Sequence, residues 1–546
     1  MNRCRRPLSP SALLVALCAL LPASTCLPVA DDDDSAAPCP RDLDGDGYVD
    51  ESCDGGDDCD DSNPAANPGA VEVCANDVDD DCDGACVGCG LCGEHPLAWA
   101  DAKLLGEVAG NQAGASVLMT GDTNGDGFTD FLVGAPGASW PEPVHVYLVL
   151  GPQSGVSSLA LAEARLLGYA ESSEYIMVNS IGAGDLNGDG EVDFIGGGNC
   201  DYVSAVVYGP VAGDVDLADH VHVGFPQPNG SNCVVASAGD VNGDGVDDLL
   251  TGTHWLDGEA YLYSGPISSD VTGANTTAVL TSGPANQDAG YRVASGGDIN
   301  ADGFDDILIS DPQHDALGDG AGAVHVVYGP VTGEVSLDDS DALLMGDNCS
   351  WYDWSMGQIF TADSDFGRSI AAADMNGDGF DDVIVGAPGA ALTGASGECD
   401  LTPPPGVVYV FFGPLAGDVD VSMADAALSG LDKNDQVGSS VSPAGDVNGD
   451  GLPDLLVGAK NMSRPGLLFP SGGAYLAMGP VGGSSLLNSA PRFIGEAGDD
   501  NAGWSVSGGG DINNDGYDDI VVGALGDDTA GSSAGAAYVL YGGPGW

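Results

Sequence analysis

Seven times along the chain, a short run of carboxylates, amides and glycines gives way to a block of apolar, largely β-branched residues. One copy reads Asp374-Met-Asn376-Gly-Asp378-Gly-Phe380-Asp-Asp382, followed by Val383-Ile-Val-Gly386-Ala387-Pro388. An apolar run this short, closed by Gly-Ala-Pro, predicts a buried strand rather than a helix. Around the fourth copy a whole unit can be laid out. An outer strand is expected near Ala278 to Thr281 and an inner strand from Gly290. A polar hairpin loop follows at 298–306, then a second strand at Ile307-Leu-Ile and a third from Val324 to Gly329-Pro330. The Gly-Pro ending recurs at Gly151, Gly209, Gly265, Gly413 and Gly479, and as Gly542-Gly-Pro544 in the last copy. The loops start at Asp122, Asp185, Asp240, Asp298, Asp374, Asp446 and Asp511, between 55 and 76 residues apart. Four short strands at that period predict propeller blades. The expected fold is all-β: a seven-bladed β-propeller of four-stranded blades over 99–546, preceded by a small disulfide- and calcium-dependent module.

The loops carry the chemistry. Positions 1, 3, 5 and 9 are Asp, Asn, Asp and Asp in every copy. They are Asp122, Asn124, Asp126, Asp130; Asp185, Asn187, Asp189, Asp193; Asp240, Asn242, Asp244, Asp248; and Asp298, Asn300, Asp302, Asp306. The last three sets are Asp374, Asn376, Asp378, Asp382; Asp446, Asn448, Asp450, Asp454; and Asp511, Asn513, Asp515, Asp519. Hard oxygens at odd spacing suit Ca2+, which takes six to eight oxygen ligands including a backbone carbonyl near position 7. Asp-Gly and Asn-Gly also make ordinary hairpin turns, but seven in-phase copies leave that reading little weight. The position-4 glycine is replaced by Ala301 in the fourth loop and Asn514 in the seventh. Asn tolerates a left-handed backbone and Ala does so at a cost, so the fourth loop is expected to be the weakest site.

The first 92 residues are different. Arg3, Arg5 and Arg6 precede an apolar run from Ser11 to Leu21 and then small residues. This pattern predicts a secretory signal over 1–26, too short to span a membrane as a mature helix. Cys26 follows Leu-Pro-Ala-Ser-Thr, which resembles a bacterial lipoprotein lipidation site, although Thr25 departs from the usual Gly, Ala or Ser. Residues 27–38 read as an acidic tether. Residues 39–92 hold eight cysteines, a disulfide framework in an exported chain. The cluster Cys82, Cys86, Cys89, Cys92 is the alternative, a zinc site. Asp42, Asp44, Asp46 and Asp50 repeat the loop spacing.

Two resemblances sit on these residues. Asp57-Asp-Cys59-Asp-Asp61 and Pro68-Gly-Ala70-Val-Glu72-Val-Cys74 resemble the Cys/Asp-rich metal-binding motif of large secreted bacterial surface proteins, with a flavour of thrombospondin type 3 repeats. Phe366-Gly367 with Gly386-Ala387-Pro388, and Gly134-Ala135-Pro136, resemble the FG-GAP repeats of the integrin alpha-subunit propeller. Ser310-Asp311-Pro312 and Gly458-Ala459-Lys460 depart from that pattern. The resemblance covers roughly 99–546 and implies seven blades with calcium loops on the bottom face. In that family only some blades carry calcium; here all seven have the ligand set. Neither Ig-like domains nor a membrane helix follow the repeats, so an integrin subunit itself is not expected.

Charge narrows the partners. The net charge is −72 with 12 Lys and Arg in all. Nucleic acid and anionic lipid headgroups are poor partners, since both need Lys or Arg against phosphate. Such acidity can signal disorder, but 43% of residues are hydrophobic and fall in regular strand-like runs. Gly531-Ser-Ser533-Ala-Gly535 has the letters of a nucleophile elbow, yet it falls between two expected strands without the helix that motif needs. The seven histidines form no metalloprotease motif. Two insertions lie on the face opposite the calcium loops. Residues 346–365 carry Trp351, Tyr352 and Trp354, expected as exposed recognition aromatics on a loop or as packing over the rim. Residues 389–406 carry Cys399. Strand direction places Cys200 with Cys233, and Cys349 with Cys399, on that same face as candidate disulfides. With the stalk cysteines paired among themselves, Cys26 is left over, which suits a lipid-modified residue. Lys103-Leu-Leu-Gly106 matches Arg165-Leu-Leu-Gly168, so residues 103–107 are expected to close the ring beside Ala536 to Tyr541. The expected function is an exported cell-surface binding or adhesion module for a protein or carbohydrate, attached to a membrane only through a lipid on Cys26. Its rivals are a propeller-borne enzyme acting on polysaccharide or phosphodiester, and a calcium-dependent surface spacer.

Overall fold

The computed structural model describes residues 94–546 apart from 138–143, 169–179, 198–203, 225–232, 254–257, 274, 283–287, 316, 319, 354–357, 393–403, 464–468, 488–489 and 545. Within 349–362 it describes the backbone alone. The signal, tether and Cys/Asp-rich segments, with Cys26, Asp42, Asp44, Asp46 and Asp50, lie outside the described residues, as do Cys200, Cys399 and Trp354.

Seven sheets make the propeller, one per loop, and each is named here by its loop order. The second strands explain why the apolar runs do not alternate. Asp130–Ala135, Asp248–Thr253, Asp306–Asp311, Asp382–Ala387, Asp454–Ala459 and Asp519–Ala524 are buried at every position. Both faces of each strand meet a neighbouring sheet, so both must be apolar. The first strands, such as Val293–Gly297 and Ser369–Ala373, hold small residues and are only partly buried.

Gly386 shows how closely adjacent blades approach. A Cβ there would lie 2.1 Å from the Gly438 carbonyl oxygen of the next blade. Gly438 itself has φ +83°, a region open to glycine. Ser369 Oγ donates to that same carbonyl at 2.9 Å, so the contact is also hydrogen-bonded. Beside it, Phe366 is buried between Tyr409 and Phe411, with ring centroids 5.8 and 6.2 Å away.

Each outer strand belongs to the preceding blade. Ala278–Thr281 pairs with Glu259–Tyr263 of the third blade, ahead of the fourth loop in sequence. The ring therefore closes with an N-terminal strand. Ala102–Leu105 runs antiparallel to Ala536–Leu540, with Lys103 opposite Tyr538, as the Leu-Leu-Gly match predicts.

The blades also hold more than the four expected strands. Among the described residues, six of the seven sheets have five. After its Gly-Pro, a repeat sends a four-residue strand back onto the outer edge of the blade before it. Gly417–Asp420, for example, lies parallel to Ala342–Met345 of the fourth blade. This covers an edge that would otherwise offer unpaired amides and carbonyls. Glu94–Pro96 plays the same part on the sixth blade, parallel to Arg492–Ile494. A turn of 3-10 helix at Leu97–Trp99 follows it, as Leu159–Leu161 follows Gly155–Ser158. Two consecutive N-terminal strands thus complete two different blades.

The insertion before the fifth blade is not a loop. Cys349–Asp353 and Gln358–Ala362 form an antiparallel hairpin that pairs Trp351 with Phe360, Tyr352 with Ile359 and Cys349 with Ala362.

Candidate metal centres and the face opposite them

All seven predicted ligand sets lie in hairpins joining the first and second strands, on one face of the propeller. The hairpins are built alike. In the fifth, Asp374 Oδ1 accepts the amides of Gly377 and Asp378 at 2.7 and 3.1 Å, and Oδ2 accepts Gly379 at 2.9 Å. Asp122, Asp185 and Asp446 each take the corresponding three amides. Asp240, Asp298 and Asp511 take the two from positions 5 and 6. The position-1 carboxylate therefore winds the loop around itself, and positions 3 and 5 are drawn toward the same centre. Asn376 Oδ1 accepts the Asp378 amide at 2.8 Å, with equivalents at Asn124, Asn300, Asn448 and Asn513.

Ala301 and Asn514 adopt the backbone that glycine adopts elsewhere, at φ 55° and 57°. Neither distorts the loop enough to lose the position-5 and position-6 amide bonds.

The position-9 aspartates are a second tier. Asp130, Asp193, Asp248, Asp306, Asp382, Asp454 and Asp519 are fully buried. Asp382 accepts the Met375 amide at position 2 and the Gly413 amide of the Gly-Pro ending, each at 2.9 Å. The carboxylate thus ties the hairpin to the exit of the third strand, as in the other blades. Burial, reinforced by the loop carboxylates, pushes Asp193, Asp248, Asp382 and Asp454 up to about 6 and Asp306 and Asp519 to about 7. Asp130 is raised as well, from the same cause. Clustered carboxylates with raised affinity for protons are groups that a cation would relieve.

Sequence reading passed over position 8. Asp247, Asp305, Asp381 and Asp518 each accept the amide that opens the loop of the preceding blade, at 2.6 to 2.9 Å. The signal was present as an Asp-Asp doublet, but only the second Asp fitted a metal-ligand spacing. The hairpins are therefore coupled in series round part of the ring.

The opposite face carries three of the scarce cations. Arg292, Arg368 and Lys460 follow the first-strand glycines or second-strand ends of the fourth to sixth blades. Arg292 and Arg368 both lie on the Tyr291 ring, 5.1 and 5.0 Å from its centroid, and Lys460 lies 4.7 Å from that of Trp504. Burial lowers Arg292 and Lys460, and repulsion by Arg368 adds to it. Gly531 to Gly535 sits in the turn between two antiparallel strands of the seventh blade, with no helix after Ser533.

Residues 113–149, 289–327, 366–411, 437–465 and 502–540 match the family described as FG-GAP repeat. Five of the seven blades, the first and the fourth to seventh, thus carry FG-GAP repeats. The second and third blades fall outside the matched segments but repeat the same strand order. Residues 58–86 match the family described as "Putative metal-binding motif". Integrin alpha-5 of Xenopus laevis is 31% identical over 246 residues, 44% of this chain and 20% of that protein. Integrin alpha-PS5 of Drosophila melanogaster is 34% identical over 166 residues, 30% of this chain and 15% of that protein. Phosphatidylinositol-glycan-specific phospholipase D of Bos taurus is 32% identical over 184 residues, 32% of this chain and 20% of that protein. The chain thus spans a fifth or less of these relatives, and the likeness is between propellers. Among the described residues no helix is long and apolar enough to cross a membrane.

Proposed function

We propose that this chain is an exported, calcium-stabilised FG-GAP propeller that acts as a surface binding or adhesion module. The observation that carries the reading is the shared build of the seven hairpins. Each has a position-1 carboxylate already held by two or three amides, and each is rooted by a buried position-9 carboxylate. One Ca2+ per hairpin would take oxygens from positions 1, 3, 5 and 9 and the position-7 carbonyl. It would neutralise the carboxylates that otherwise repel, and fix the first strand to the second. The position-8 links would then carry that rigidity from blade to blade. The 39–92 module would hold further metal through Asp42, Asp44, Asp46 and Asp50. A signal over 1–26 and a lipid on Cys26 would place the chain at the cell surface or outside it.

The ligand, a protein or a carbohydrate, would bind the face opposite the hairpins. The cation and aromatic group of Tyr291, Arg292, Arg368, Lys460 and Trp504 suits an acidic group on it. The neighbouring hairpin with Trp351 and Tyr352 would widen the contact, and bridges at Cys200–Cys233 and Cys349–Cys399 would preorganise it. Nucleic acid is a poor partner for so acidic a chain. Screening the full chain against glycan and protein arrays, with calcium and with EGTA, tests this. A calcium-dependent hit that Arg368→Ala weakens at least tenfold is expected. Hits that ignore the substitution would overturn the placement, and no binding at all would favour the spacer reading.

A further inference from the structure

The fourth blade departs from its sisters at three places on the face opposite the hairpins. Asp311 ends the second strand where four other blades place Ala135, Ala387, Ala459 and Ala524. His325 stands four residues before the Gly-Pro glycine, where five others place Tyr147, Tyr261, Tyr409, Tyr475 and Tyr538. His314 lies in the turn between them, which is closed by its amide on the Asp311 carbonyl at 3.1 Å and by Gly322 on its own carbonyl at 2.9 Å.

The register brings these residues together. Asp311 faces Ala323 across the ladder, and Ala323 is two residues from His325, so Asp311 and His325 project from the same side of the sheet. The ligand atoms of all three lie within 4.8 Å of one another. The Asp311 and His325 residues are 0% and 1% exposed, and His314 8%. The two imidazoles stand edge to face, 5.9 Å between centroids.

What makes the cluster unusual is what it lacks. Neither carboxylate oxygen of Asp311 and not Nε2 of His325 has a partner of normal hydrogen-bond geometry. The nearby Gln313 amide offsets the buried charge only in part. No ion pair to Asp311 forms among the described residues. A buried carboxylate and a buried imidazole nitrogen left bare are each costly. The seventh blade shows the alternative. There Asp527, which stands three residues past Ala524 at the position of His314, meets Lys103 at 2.8 Å beneath Tyr538. In the fourth blade Leu343 stands across from His325 where Lys103 stands across from Tyr538, and the tyrosine is replaced by a side chain that can ligate a metal. Asp311 and His325 are thus buried side by side, with both carboxylate oxygens and Nε2 open to a shared partner. Ser340 Oγ lies 3.4 Å from His325 Nδ1, so the outer nitrogen faces a hydroxyl and Nε2 faces the cluster.

The geometry points to a divalent transition-metal site formed by Asp311, His314 and His325, and zinc is the ion it fits. Two imidazoles and one carboxylate are zinc ligands, and around a tetrahedral ion they stand about 3.3 Å apart, within rotamer reach of the present spacing. Calcium prefers oxygen alone, so the site does not compete with the hairpins. The bound ion and Asp311 leave a net positive charge, which Asp315 and Asp288 beside Asp311 and Asp338 beside His314 balance. Three protein ligands leave a fourth position for water or a ligand group.

The test is to strip the full chain of metal, restore millimolar calcium, equilibrate it with Zn2+ and count the zinc retained. Because the 39–92 module has its own cysteines, the quantity to read is the difference from Asp311→Ala/His325→Tyr, which restores the residues of the sister blades. The wild type should retain one equivalent more and gain thermal stability with Zn2+ that the variant does not gain. Equal zinc in the two proteins, or no zinc in either, overturns the site. Should the double variant not fold, His314→Ala gives the same reading: loss of one equivalent is expected, and no loss overturns it. Co2+ in place of zinc should give the visible bands of a nitrogen and oxygen site that vanish in His314→Ala.

Discussion

The side chain of Asp381, in the fifth hairpin, accepts the backbone N–H of Asp298, the first residue of the fourth, at 2.9 Å. The same two residues are joined again by the Asp381 amide on the Asp298 carbonyl at 3.3 Å. One metal loop is thus anchored by its neighbour. Gly297 makes room for this, since a Cβ there would lie 2.1 Å from the Asp381 carboxylate. A hydrogen bond to a charged acceptor contributes about 1.5–3 kcal/mol. Asp381→Leu should therefore lower the stability of the calcium-loaded propeller by about 1–2 kcal/mol, discounting for partial exposure, in a denaturant melt. It should also weaken calcium binding in the fourth hairpin as well as the fifth. A loss confined to the fifth would show that the loops are independent.

Ala301 holds a left-handed backbone at φ 55°, which costs a residue with a Cβ about 1 kcal/mol relative to glycine. Ala301→Gly should therefore raise the affinity of the weakest hairpin without touching a ligand. Calorimetric calcium titration reads this directly, and an unchanged or weaker isotherm would refute the ranking of the fourth loop.

Lys103 closes the ring. Its ammonium meets Glu496 at 2.6 Å and Asp527 at 2.8 Å and lies 5.0 Å from the Tyr538 ring centre. Burial opposes the charge on Lys103, but the two carboxylates outweigh it and hold Lys103 raised; burial raises Asp527, and Lys103 outweighs that and holds it low. Asp527 thus contributes stability above about pH 4 that is lost as pH falls through its depressed value, and Lys103 contributes stability lost only above about pH 10. Lys103→Met leaves a buried carboxylate unpaired, which costs about 2–4 kcal/mol. The sign of the pH effect then reverses, and the variant should recover stability between pH 7 and 5 as Asp527 takes up a proton. Melting curves across that range check it; a variant parallel to wild type would contradict the pairing.

The buried position-9 aspartates give the metal-free protein its own pH signature. Their folded values of about 6 to 7 lie above the unfolded value of about 4. Protonation therefore favours the folded state, fully below pH 4, and that stability is lost as pH rises through 6 and 7. In EGTA the propeller should melt higher at pH 5 than at pH 7.5. With calcium the order should invert, because the ion needs the carboxylates ionised.

The blades were legible because the position 1, 3, 5 and 9 residues do not vary among seven copies and each loop runs into a strand buried on both faces. Ring closure was legible because Leu104-Leu105-Gly106 repeats Leu166-Leu167-Gly168. The fifth strands were not. Gly417–Asp420 is four residues long and half exposed, so it has no hydrophobic period to read. The Trp351 hairpin was hidden for a similar reason, as an insertion with no counterpart in other repeats. Nothing in the sequence marks out Asp381 beside Asp382, because its partner lies 83 residues away. The Asp311, His314 and His325 cluster was visible only as a departure from Gly-Ala-Pro, since its two histidines stand 11 positions apart and only the strand pairing joins them.

Calcium is the centre of the account. Extracellular calcium modules bind with Kd of about 0.1–1 mM. At millimolar calcium each hairpin then adds on the order of 1 kcal/mol by linkage, so seven sites approach the typical stability of a whole domain, about 5–15 kcal/mol. The most direct test is the thermal melt of the full chain at pH 7.5 in about 2 mM Ca2+, just above that range of Kd, against the same buffer with excess EGTA. A large fall in Tm in EGTA, restored by adding calcium back, is the predicted result. An identical melt in both buffers would contradict the assignment of the seven hairpins.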